Sequence, residues 1–140
     1  MLKRILSAAF LCAIMLMPAG AAERVVSFIS DVNVQRNGDL IVTETIQVQA
    51  EGQVIRRGIL RDFPTTYKRT DGSHVEVGFE VQAVSRDGSA ENYVTERMNN
   101  GVRIRIGSAD RLINTGLHAY VIKYRTTRQL GFYDNFYELD

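Results

Sequence analysis

Few side chains in this sequence could do metal or nucleophilic chemistry. His74 and His118 are its only histidines, and its single cysteine, Cys12, lies in an apolar N-terminal run. A zinc site needs three or four histidine, cysteine or carboxylate ligands. We therefore expect the chain to bind no metal and no cofactor.

A serine, histidine and aspartate set can be drawn from Ser85, His118 and Asp87. Any chain of this size offers such sets, and no nucleophile-elbow motif supports this one. Acid pairs for glycoside chemistry, such as Glu44 with Glu80, are equally unsupported. We expect a non-catalytic protein, and a hydrolase or accessory domain acting on cell-envelope material is the alternative.

Arginines offer a better lead to function, because guanidinium groups bind carboxylates and phosphates in a bidentate manner. The arginines concerned are Arg56, Arg57, Arg61, Arg69, Arg103 and Arg105. The ordinary alternative is that they form intramolecular ion pairs or a solvated strand face. The sequence leaves both interpretations open.

Residues 58–67 hold the least ordinary choices of the chain, including Pro64. Proline has no backbone donor, so this segment must be an edge strand, a bulge or a crossing between sheets. We expect Phe63 and Tyr67 to anchor it in the core, while hydrogen bonds hold Arg61 and Asp62. These five residues are the candidate interaction site or structural crossing.

Apolar and polar residues alternate with a period of two through most of the chain, and no long helical pattern occurs. The predicted strands are 26–34, 40–48, 75–83, 92–98, 102–106 and 117–125, with an irregular segment over 54–70. Asn-Gly turns are expected at residues 37–38 and 100–101. The pattern predicts an all-β fold, an antiparallel β-sandwich of about seven to eight strands.

Two of these strands make specific predictions about the core. His118, Tyr120, Ile122 and Tyr124 share one face of their strand, which we expect to be buried. Glu44 falls on the apolar side of its strand. An unpaired buried charge is costly, so either a bulge shifts the register there or the carboxylate has a cationic partner.

The N-terminus has the order of a secretory signal peptide: Lys3 and Arg4, an apolar run, then small residues up to Ala22. An uncleaved anchor is the alternative. Residues 1–22 are thus the predicted leader, and residues 23–140 form one exported domain without cysteine. The leader holds two of the 17 basic residues and none of the 16 acids, which leaves a mature net charge near minus one. That balance gives no reason to expect nucleic acid as a partner.

Two stretches, GILRDFPTTY at 58–67 and YVIKYRTTRQLGF at 120–132, resemble the N-terminal domain of predicted bacterial membrane proteins grouped as domain of unknown function 2207. The resemblance covers nearly all of the mature chain. It implies an exported β-rich domain followed by transmembrane helices beyond residue 140, on the extracytoplasmic face of the cell membrane. It carries no established catalytic residues. Because the chain stops at an aromatic stretch, we expect it to be truncated at its C-terminus.

The sequence thus favours a binding or interaction module at the cell envelope, with an unknown protein or envelope component as its partner. A cluster of perturbed acids in a cleft would favour the hydrolase instead.

The leader yields a direct prediction. Exported from a bacterial host, the protein should begin at Ala22 or Glu23, because the small residues before them suit leader removal. N-terminal sequencing of the exported product tests this. Membrane-bound protein that still carries Met1 would contradict it.

Overall fold

The structure, a computed structural model, describes residues 22–132 and 137–139, and side chains up to Leu130. The predicted leader lies outside these residues apart from Ala22, as do Tyr133 and Phe136 of the aromatic C-terminal stretch. The described residues form strands, turns and loops, and none of them belongs to a helix long and apolar enough to cross a membrane.

The described residues contain twelve strands, and each pairing between them is antiparallel. In chain order they are β1 (Arg24–Val34), β2 (Leu40–Ala50), β3 (Gly58–Pro64), β4 (Thr66–Lys68), β5 (His74–Glu76), β6 (Phe79–Arg86), β7 (Ser89–Ala90), β8 (Tyr93–Met98), β9 (Gly101–Gly107), β10 (Gly116–Thr126), β11 (Leu130–Phe132) and β12 (Tyr137–Leu139). Seven of them have six or more residues, and five have two or three. The predicted all-β fold is confirmed.

Two sheets pack together as a sandwich. The larger has the strand order β1-β2-β10-β6-β7, and the smaller has the order β3-β9-β8. Two-stranded sheets β4-β5 and β11-β12 complete the described fold. Side chains of both main sheets meet in one hydrophobic core. Its largest fully buried side chains are Tyr120, Ile104, Ile106, Ile122 and Val48.

The central strands β2 and β10 alternate between buried and less buried residues, as their sequences predict. Directly opposite residues of an antiparallel pair share a face. Tyr120 on β10 lies opposite Ile46 on β2, and Tyr124 lies opposite Val42, so both strands direct one apolar row inward. The predicted buried face of β10 is confirmed.

β1 is not the half-buried strand that its alternation predicts. It pairs with β2 throughout, with a bulge between Val25 and Ser27. Four apolar side chains face the same side as the buried row of β2, yet Val25, Phe28, Val32 and Val34 are 58%, 49%, 43% and 55% exposed. The physical reason is that the smaller sheet, with three strands against five, ends at β3 and leaves β1 uncovered.

The segment 54–70, expected to be irregular, contains β3 and β4. β3 is an edge strand whose last residue, Pro64, pairs with Gly101, which suits a residue without a backbone donor. Gly101 belongs to β9 and not to the predicted turn, which residues 99–100 form. A Cβ on Gly101 would lie 1.9 Å from the carbonyl oxygen of Phe63. Glycine is therefore required where the two backbones meet.

The strand predicted over residues 75–83 is split in two. β5 ends at Glu76 and β6 begins at Phe79. Between them, Gly78 donates its N–H to Thr127 Oγ1 and accepts from the Thr127 N–H, both at 3.1 Å. These bonds replace strand pairing at the break, and β5 pairs with β4 instead of continuing along β10.

Phe63 provides a stability test of this architecture. It is 7% exposed, and its ring centroid lies 4.5 Å from that of Phe79 and 4.8 Å from that of Tyr124. We expect Phe63→Ala to lower the free energy of unfolding by about 3–5 kcal/mol, as for other buried aromatic residues. Urea denaturation measures the change.

Leu60→Ala is the matched control, because Leu60 lies on the same strand and is 53% exposed. We expect this variant to lose much less stability than Phe63→Ala. Equal losses would show that the inward row of β3 does not form part of the core.

Candidate functional site

Arg61 and Glu44 form an ion pair between the two sheets. Glu44 lies in the buried row of β2, and its side chain is 3% exposed. Arg61 on β3 donates from Nε to one carboxylate oxygen and from Nη2 to the other, both at 2.8 Å. β2 and β10 keep a regular register past Glu44. The carboxylate is therefore accommodated by a cationic partner and not by a bulge.

Aromatic side chains complete the surroundings of this pair. The Tyr124 hydroxyl donates to Glu44 Oε1 at 3.1 Å. The Arg61 guanidinium carbon lies 4.2 Å from the ring centroid of Phe63 and 5.4 Å from that of Phe28. The hydrogen bonds with Glu44 are the main cause that raises the pKa of Arg61. Burial is the main cause that raises the pKa of Tyr124, so both donors keep their protons at neutral pH.

Asp62 faces the other way and pairs with Arg103, which lies directly opposite it on β9. Arg103 donates from Nε and Nη2 to the two Asp62 oxygens, at 2.6 and 2.7 Å. These hydrogen bonds lower the pKa of Asp62. The pair lies on the outer face of the small sheet, where exposed ion pairs contribute little to stability.

Tyr67 is not the buried anchor that the sequence predicts. It is 37% exposed, and its hydroxyl donates to the carbonyl oxygen of Pro64 at 3.0 Å. The reason is that its strand, β4, pairs only with β5 in a small exposed sheet. The candidate residues thus divide: Arg61 and Phe63 face the core, whereas Asp62 and Tyr67 face outward.

His118 and Asp87 lie together, but their geometry does not form a catalytic triad. His118 Nδ1 lies 2.7 Å from Asp87 Oδ2, and Nε2 lies 2.7 Å from the carbonyl oxygen of Asn114. Each ring nitrogen thus has an oxygen atom of Asp87 or Asn114 as its partner. No described hydrogen bond joins Ser85 to the ring.

Glu91 is a buried acid to which the sequence analysis gave no role. Its side chain is 4% exposed and accepts from Arg86 at 2.7 Å and from Arg111 at 2.9 Å. Burial raises its pKa, but the bonds from Arg86 and the Asn92 N–H outweigh this effect and lower it. An acid in a loop has no periodic signal, so alternation could not reveal this one. Nearby, the buried Tyr120 hydroxyl has no hydrogen-bond partner within the described part of the chain.

Glu23, just before β1, holds the loop that follows β2. Its carboxylate accepts from the backbone N–H groups of Glu51, Gln53, Val54 and Ile55 at 2.6–3.2 Å. Desolvation raises the pKa of Glu23, yet the four backbone hydrogen bonds hold it below its ordinary value. The sequence carries no signal for this contact, which joins residues about 30 positions apart.

The described side chains offer binding groups and few reactive ones. Among residues 22–132 and 137–139, no group of three or more histidine, cysteine or acidic residues could hold a metal ion. The described acids with shifted pKa values accept hydrogen bonds that keep them ionised.

The sequence matches a known protein family over most of its length. The family model described as the N-terminal domain of a predicted membrane protein (DUF2207) matches residues 24–140. The chain is also similar to the uncharacterized protein YciQ of Escherichia coli (strain K12), with 28% identity over 95 residues. Those residues cover 68% of this chain and 15% of that relative, so the chain spans a small part of the relative's length. No solved structure matches the chain significantly.

The ion pair between the sheets makes a prediction about stability. Arg61→Ala leaves a buried carboxylate without its countercharge, so we expect a loss of about 3–5 kcal/mol in the free energy of unfolding. Arg103→Ala removes an exposed pair between β3 and β9, and it should cost about 1 kcal/mol or less. Urea denaturation of both variants measures the difference. A parent-like Arg61→Ala protein would show that Arg61 does not hold the sheets together.

Proposed function

The chain belongs to the family of predicted membrane proteins that share the DUF2207 N-terminal domain, and from this premise we propose that its β-sandwich is a non-catalytic binding module. It is displayed on the extracytoplasmic face of the membrane after removal of the predicted leader. Segments beyond residue 140 anchor the full-length protein. The partner is a protein or another component of the cell envelope.

The observation that supports this proposal is the exposed edge strand β1. It is the edge of the larger sheet, so one row of its backbone N–H and C=O groups has no strand of the described residues beside it. Its inward apolar row, Val25, Phe28, Val32 and Val34, is exposed. Natural proteins usually protect such edges with charged residues, proline, a β-bulge or a covering segment. β1 has one bulge near its start and the charged residues Arg24 and Asp31, but no lysine or proline, and residues 27–30 and 32–34 carry no charge. An open apolar edge of eleven residues is the surface that strand addition by a partner requires.

The acids of the domain favour binding over hydrolysis. A general acid needs a raised pKa, but each described carboxyl group with a shifted pKa has a lowered one. These groups are Glu23, Asp39, Asp62, Asp71, Asp87 and Glu91. Hydrogen bonds to backbone groups and cationic side chains keep them ionised, which suits structural ion pairs.

Site-specific photo-crosslinking in cells tests the use of β1. In the natural full-length protein, a photo-reactive residue in place of Val32 should give a discrete adduct, because this position lies on the exposed inward row. The same substitution at Arg97 is the control, since that residue is exposed on β8, an edge of the smaller sheet. Mass spectrometry of the adduct identifies the partner.

Two results would contradict the proposal. Equal crosslinking at Val32 and Arg97, or none at Val32, would remove the role of β1. Release of soluble fragments from purified cell-envelope material by the protein would favour the hydrolase alternative.

A further inference from the structure

A cleft at one end of the sandwich is lined by three arginines. It lies where β3 begins and β9 ends, and it encloses about 450 Å³. Arg56, Arg57 and Arg105 line it together with apolar residues that include Val54 and Leu60. No aspartate or glutamate is among its lining residues. The cleft is therefore cationic, with an apolar wall.

Two of the three arginines in the cleft form no ion pair with a described acid, as is also true of Arg24, Arg36, Arg69 and Arg128 elsewhere in the fold. The arginines paired with a described acid are Arg61, Arg86, Arg97, Arg103, Arg105, Arg111 and Arg125. Arg56 and Arg57 are not among them, and both are exposed. Their guanidinium groups are available for a carboxylate or phosphate from outside the domain.

Two of the acids near the cleft are already engaged, whereas the exposed Asp110 follows the lining residue Ala109. Glu96 accepts both hydrogen bonds of Arg105, at 2.8 and 3.1 Å. The Glu23 carboxylate is held by the four backbone N–H groups of the loop before Arg56. The nearby Arg56 carbonyl accepts from the Ile113 N–H at 2.9 Å. The backbone that presents Arg56 is thus fixed by hydrogen bonds on both sides, which lowers the entropy cost of binding.

The floor and wall of the cleft indicate what shape of ligand it takes. A Cβ on Gly58 would lie 1.7 Å from the Ile106 carbonyl oxygen, so the floor at this point is bare backbone. Val54 is 87% exposed and Leu60 is 53% exposed. Large apolar side chains beside free guanidinium groups suit a ligand with an anionic head and an apolar portion.

We propose that this cleft binds a phosphate or carboxylate group of an envelope amphiphile, with Arg56 and Arg57 on the anion and Val54 and Leu60 against the apolar portion. The same anionic chemistry occurs in a lipid head group and in free phosphate, and the experiment separates these sources. The cleft is distinct from β1, so this inference can fail while the proposed use of β1 holds, and the reverse.

The test uses the exported, leader-free protein with two kinds of vesicle, phosphatidylglycerol and phosphatidylcholine. Binding to the anionic vesicles should fall roughly thirtyfold in Arg56→Gln/Arg57→Gln, since each basic residue at an anionic surface contributes about fivefold. The control is Arg36→Gln/Arg128→Gln, which removes the same charge at the opposite end of the sheet, near the β1–β2 turn. The control should keep parent-like binding, and phosphatidylcholine should bind weakly to each protein.

Two further measurements separate the lipid from a free anion. Val54→Ser should weaken vesicle binding, and inorganic phosphate at millimolar concentration should not displace the protein from the vesicles. If phosphate displaces the protein from the vesicles and Val54→Ser binds them as the parent does, the proposed amphiphile is wrong and the ligand is a free phosphate. Equal losses in the two double variants, or no binding by the parent, would overturn the site itself. Val32→Ser, on β1, leaves the net charge unchanged and should bind the vesicles as the parent does.

Discussion

Burying a carboxylate inside the sandwich costs free energy, and the ion pair that offsets this cost constrains how the two sheets pack. Glu44 interrupts the apolar row of β2 between Val42 and Ile46, where it would be strongly destabilising alone. Arg61 compensates this charge from the other sheet, and Tyr124 supplies a further hydrogen bond. Bidentate geometry permits one relative position of β3 and β2. A purely apolar contact at this position would tolerate small slips between the sheets.

The position of β3 determines where both proposed binding surfaces, the β1 edge and the cationic cleft, lie. Because Arg61 fixes β3 over β2, the smaller sheet ends before β1, and the inward row around Phe28 stays open. The beginning of β3 carries Arg57 and Gly58 to the end of β9, where the cationic cleft forms. Its other end, at Pro64, meets Gly101 so closely that a side chain there would collide with the backbone. β3, held by its pairing with β9, one ion pair and two close glycine contacts, thus positions both proposed surfaces.

The alternation of apolar and polar residues predicted those features of the fold that depend on one strand and its immediate neighbours. The inward rows of β2 and β10 follow from residue patterns alone. Pro64 left an edge strand, a bulge or a crossing as alternatives, and the fold has the edge strand. The same rule misjudged β1, because a period of two identifies an apolar face but not whether a second sheet covers it. Tyr67 was misplaced for a related reason: its pairing with β5 depends on the break at Gly78, which Thr127 creates from 49 residues away. For Glu44 the sequence left two alternatives, a β-bulge or a cationic partner. The choice depends on the packing of the two sheets, which places Arg61 beside the carboxylate.

The contact between Glu23 and the loop after β2 bears on the order of events in the proposed export. Removal of the predicted leader before Ala22 or Glu23 would leave at most one residue between the new terminus and a side chain held by four backbone N–H groups. β1 begins at the next residue, Arg24. A protease needs its substrate extended through the active site, which the finished sheet would not allow so close to the cut. In the proposed export, cleavage would therefore precede the docking of β1, and a slowly cut precursor would keep its first strand unpaired.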